Sequence, residues 1–143
     1  MKNIIIKIVW IILISTVVLG YALYTNLSIG LQLFDLSYLT IIMVTAIVYL
    51  LMTGQMRYFG QGFSGNYSDE EYGKVHSVYK QLFCLVLLVG GALFTISLIK
   101  SMDLVLEEAE SLVYSKAAIS FQPIFQSVYI ILLLLPASAK MNK

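Results

Sequence analysis

QLFCLVLLVGGALFTISLI, running from Gln81 to Ile99, contains no charged residue. A helix needs roughly 20 mainly apolar residues to cross about 30 Å of hydrocarbon, so this stretch predicts a transmembrane helix. Outward from it, three more uncharged apolar runs extend from Ile8 to Tyr24, Leu36 to Met56 and Ala117 to Ala139. The chain therefore reads as an all-α, four-transmembrane-helix integral membrane protein, with spans at about 4–24, 36–56, 81–99 and 117–139. Its expected surroundings are the lipid bilayer, as a multi-pass protein of the inner membrane.

Composition agrees. Of the 143 residues 59% are hydrophobic and only 12% charged, against roughly a quarter charged in soluble domains, and the mean hydropathy is +0.87. No loop is long enough for a soluble domain of the usual 50 or more residues, so any chemistry must sit between the helices or at their mouths. A net charge of +1 without a concentrated basic surface argues against nucleic acid as a partner. The single Cys84 excludes a disulfide framework and reads as a small buried core residue. His76 has no second His or Cys beside it to build a metal site. No nucleophile–base pair or phosphate-cradling loop is visible, so neither an enzyme nor a cofactor is expected.

Met1 to Lys7 is basic and is followed by apolar residues and the small Gly20-Tyr21-Ala22, a pattern also found in secretory signals. The apolar run continues through Tyr24 into polar Thr25-Asn26, which suits a retained span better. Lys2, Lys7, Arg57, Lys74, Lys80, Lys140 and Lys143 lie on one side of the predicted spans, and only Lys100 and Lys116 on the other. By the positive-inside bias, both termini and the arm 57–80 are expected in the cytoplasm.

Within that arm Ser68 and Glu71 have the spacing of a capping box, and Asp69 and Glu70 suit the positive end of a helix dipole. Tyr72, Val75, Tyr79, Leu82 and Val86 follow at helical spacing. The third helix is thus expected to extend into the cytoplasm, joined to the second by a flexible stretch at Gly60, Gly62 and Gly65. The outer loop 100–116 is amphipathic and acidic. Asp103, Glu107 and Glu110 share one face, either a solvated surface or, in a ring of copies, a vestibule that concentrates cations.

No Asp, Glu, His or Arg falls inside a span core, and Lys7 and Lys100 lie close enough to the ends to snorkel. A self-contained pump usually needs buried ionisable groups. The fourth span instead carries Gln122, Gln126 and Tyr129 on one stripe and Ser120, Ser127 and Ser138 nearly opposite. The third carries Gly90, Gly91, Thr95 and Ser97. Pro123 should interrupt the fourth helix near its outer end, freeing the Ile119 carbonyl, and Pro136 should mark its inner end.

Three segments, in order, resemble the MotA/TolQ/ExbB superfamily of ion-channel subunits, and in particular its short four-helix members. They are Phe34 to Ile42 at the start of helix two, Gly90 to Ile99 in helix three, and Ala118 to Phe125 continuing through Leu135-Pro136 to Lys140. Phe125-Gln126 stands where the family has Tyr-Gly, and Ser97 where it has glycine. The resemblance implies a proton-channel or motor-type subunit in a homo-oligomer, about five copies around a single-span partner whose aspartate carries the proton. Thr95, Gln122, Gln126 and Ser127 are then the expected pore-lining groups, with Gly90, Gly91, Pro123 and Pro136 serving packing or kinks. The alternative is a non-conducting membrane scaffold or accessory protein whose polar stripes only associate helices.

Overall fold

A computed structural model describes residues 2–25, 35–105 and 119–139. These form five helices and no strand: α1 (Lys2–Thr25), α2 (Leu36–Met52), α3 (Met56–Ser64), α4 (Asp69–Val105) and α5 (Gln122–Ser138). By length and composition, one helix among the described residues suffices to cross a membrane, the Asp69–Ser101 part of α4. Ile4–Gly20 of α1 and Gln122–Ser138 of α5 are apolar but shorter.

The second expected span, 36–56, is corrected. Asp35 opens α2 by accepting the Ser37 N–H at 2.8 Å, the usual service of an aspartate at a helix start. The helix then stops at Met52. Gly54 takes a φ of 66°, the Gln55 N–H returns to Leu50 O at 3.0 Å, and the Gly54 N–H to Leu51 O at 3.2 Å. This pair of bonds is a Schellman motif, and the glycine supplies the left-handed residue it requires. The chain bends by 111° into α3, so Gly60 and Gly62, expected in a flexible join, are helical, and only Gly65, at a φ of 68°, lies outside the helix and ends it.

Ser68 and Glu71 start α4 reciprocally. The Ser68 N–H donates to Glu71 Oε2 at 3.1 Å and the Glu71 N–H to Ser68 Oγ at 3.2 Å. With 37 residues, α4 is about 55 Å long, well beyond the hydrocarbon thickness. It turns Leu82, Val86 and Gly90 inward but leaves Leu87 and Leu88 exposed. Cys84 shares the outer side and is exposed, which corrects its expected burial.

The central helix is α5, which packs against each of the other four. Three buried clusters bind it to α2 and α4 or link those two: Ile42, Val86 and Ile130; Leu50, Val78 and Leu82; Val75, Tyr79 and Ala137. At Gly90 the backbones of α4 and α5 meet so closely that an added Cβ would stand 2.9 Å from Ser127 Cβ and 3.0 Å from Pro123 O. Pro123 falls in the first turn of α5, after a turn at Phe121. Its missing N–H is one that a helix start leaves unbonded anyway, and with Ile119 and Ser120 helical before the turn, the chain is interrupted just ahead of this proline.

Candidate functional site

Several of the polar side chains marked out in the sequence converge on the interior between α2, α4 and α5. Gln126 is fully buried, and its Nε2 donates to the backbone oxygen of Asp35 at 3.0 Å. Ser127 is also fully buried and returns its hydroxyl to Pro123 O at 2.9 Å, while Gln122 is 5% exposed. Near the same end Tyr38 OH donates to Ser97 Oγ at 3.3 Å. Ser101 Oγ lies 2.8 Å from Ser97 O and 2.8 Å from Ser120 Oγ. Gln122, Gln126 and Ser127 are thus brought together inside one chain. Thr95 is not: it is exposed on α4 and donates to Gly91 O at 2.9 Å. Gly91 has nothing within 4 Å of an added Cβ. Asp103 belongs to α4, whereas Glu107 and Glu110 lie outside the described residues.

Along α1 the bonds to α5 are equally specific. Ser15 Oγ lies 2.9 Å from Tyr129 OH. Pro136, inside α5, has no N–H for the carbonyl four residues earlier, Leu132. The indole N–H of Trp10 supplies that bond at 2.8 Å. Sequence reasoning missed the pairing, although a proline in a helix poses the question of which donor serves residue i−4.

The end of the bundle beside α3 holds a second polar group. Lys7 is only 2% exposed. Its ammonium donates to Gly62 O and, at 3.2 Å, to Phe63 O. Instead of snorkelling outward, it bonds the last carbonyls of α3, where a cation also suits the helix dipole. Tyr79 OH donates to Phe59 O at 2.8 Å, so α1 and α4 both grip α3. His76 Nδ1 sits 3.1 Å from Ser138 O at the end of α5. Arg57 reaches Glu71 at 3.6 Å. The Ser68 N–H, ahead of Gln61 and Arg57, holds the Glu71 carboxyl below its ordinary value.

Two hollows flank the start of α3. One, of about 280 Å³, has a wholly apolar lining drawn from α2, α3, α4 and α5. The other, also about 280 Å³, is lined by Gln55, Tyr58, Gly73, Lys74, Ser77 and Val78. Among the described residues no three His, Cys, Asp or Glu side chains gather where they could hold a metal ion.

Comparison with protein-family models, with curated proteins and with solved structures found no match for this chain. The described residues provide a buried amide and hydroxyls that join helices, a lysine that anchors α3, and an apolar hollow.

Proposed function

We propose that the chain is a four-pass protein of the inner membrane, crossing with α1, α2, α4 and α5, and that it works as a non-conducting scaffold or accessory subunit. The single observation that carries this reading is the inverted placement of side chains. Lys7, Ser97, Ser120, Gln122, Gln126, Ser127 and Ser138 are buried, while Ile5, Ile12, Val17, Leu51 and Leu88 are at least 59% exposed. A water-soluble chain would do the reverse with patches of this extent. In lipid an apolar exterior costs nothing, and interior polar groups hold helices together.

With both termini and α3 on the cytoplasmic side, the first part of α4 projects into the cytoplasm, consistent with its length. The 17 residues each of α2 and α5 span about 26 Å, a shortfall that a bilayer absorbs by thinning slightly. The bonds of Gln126 and Tyr129 support association in preference to conduction, because they join helices within one chain.

One observation favours the channel reading as a second. Gly91 and Thr95 stand on the outward surface of α4, where a ring of copies around a single-span, aspartate-bearing partner could use them. Substituting Thr95→Ala together with Gln126→Leu separates the two. Lost assembly without any change in proton flux supports the scaffold, whereas altered flux through intact assemblies in liposomes supports the channel. The membrane placement is tested separately, by resistance to alkaline carbonate extraction and by a reporter fused after Lys143.

A further inference from the structure

We propose that the start of α3 binds a bilayer glycerophospholipid, with an acyl chain in the apolar cavity and the phosphate at Lys74. The proposal rests on the membrane reading above and adds a ligand to it.

The cavity follows α2 over more than two turns. On α2 its lining runs from Ile42 to Leu50, about 12 Å along the helix axis, so it lengthens in the direction that lipid tails take. Every lining side chain is apolar, and a polar ligand would lose its hydrogen bonds there. A dry cavity of about 150 Å³ lined in this way takes up benzene. This one is larger and open at its side, which admits a flexible hydrocarbon tail. Met43, Ile47 and Met56 line it and are also exposed, so it opens sideways, where lipid would lie.

Charge decides between a phospholipid and an uncharged hydrocarbon. Met56 lines the apolar cavity, and its neighbour Gln55 lines the second hollow. That hollow offers the Lys74 ammonium and the Ser77 hydroxyl, the groups that recognise a phosphate. Gln55 Oε1 is a buried acceptor with no donor among the described residues. A headgroup amine or glycerol hydroxyl would supply one. Gln55 also precedes the first turn of α3 without capping it through its side chain, so the positive end of that helix dipole faces the same region.

The experiment uses the full chain in a mild detergent whose micelles are doped with phosphatidylglycerol, with native mass spectrometry counting lipid per chain. The wild type is expected to retain this lipid in preference to diacylglycerol, which has the same tails and no phosphate. Ala46→Trp, which fills the cavity, is expected to abolish retention. Lys74→Glu changes an exposed side chain and should weaken retention about tenfold, the size of one charge-assisted hydrogen bond. If Ala46→Trp lowers helicity by circular dichroism, Lys74→Glu alone decides. A wild type that retains no lipid, equal retention of diacylglycerol, or retention unchanged by Lys74→Glu overturns the proposal. A chain that resists carbonate extraction yet holds no phospholipid sinks this inference and spares the membrane reading, whereas a chain released by carbonate sinks both.

Discussion

Replacing Gly90 by alanine probes the contact on which the α4–α5 packing turns. The new Cβ would meet Ser127 Cβ at 2.9 Å and the Pro123 carbonyl oxygen at 3.0 Å, with Ser127 Oγ nearer still. Two of these belong to a buried side chain and one to backbone, so the helices must separate by several tenths of an ångström. Overpacking of this kind costs about 1–3 kcal/mol, against at most about 1 kcal/mol gained from alanine's better helix propensity. The net expectation is a loss of about 1–2 kcal/mol. Gly91→Ala is the internal control: with nothing within 4 Å it should be neutral or stabilising by up to about 1 kcal/mol. Adding Ser127→Gly to Gly90→Ala removes both Ser127 contacts and leaves only Pro123 O. The pair should therefore be more stable than the sum of the single changes by at least about 0.5 kcal/mol. Reversible unfolding in mixed micelles, followed by circular dichroism, measures all four variants. Strict additivity, or a Gly91 variant as damaged as the Gly90 one, would refute the reasoning.

Three further outcomes are expected. Trp10→Phe leaves Leu132 O without its indole donor and should cost about 1 kcal/mol. Pro136→Ala restores the backbone donor and should cancel most of that loss, which the same unfolding assay reads. Lys7→Met removes the ammonium from the Gly62 and Phe63 carbonyls, so hydrogen exchange of the α3 amides should quicken while the middle of α5 stays protected. Because Glu71 is held below its ordinary value of 4.5, the stability it gives the start of α4 is complete above that value and is lost as pH falls through the lower folded one. Exchange at the amides of residues 69–72 should show this acid sensitivity in the wild type and lose it in Glu71→Gln.

Much of the helical layout was legible because its signals are local. A capping box needs only Ser68 and Glu71 at the right spacing, and the start of α4 follows from it. The break after Met52 was hidden for the opposite reason. Residues 36–56 are uncharged throughout and mostly apolar, so hydropathy reads one span where a single glycine and two backbone hydrogen bonds turn the chain. The polar interior was half legible. Helical period put Gln122, Gln126 and Tyr129 on one stripe, but it could not tell whether that stripe faces a pore or its own neighbours. Within the chain Gln126 bonds Asp35 O and Tyr129 OH meets Ser15 Oγ, contacts that helical period alone does not show. Lys7 was misjudged because a lysine near a span end usually reaches for water. Here the nearer acceptors are the carbonyls that end α3.

Trp10 is the only tryptophan of the chain, and its indole nitrogen rests on α5 at Leu132. Its emission therefore reports on one joint of the molecule without any attached dye. A change in that emission would register the parting of α1 from α5, whether caused by solvent, by a mutation or by an arriving partner.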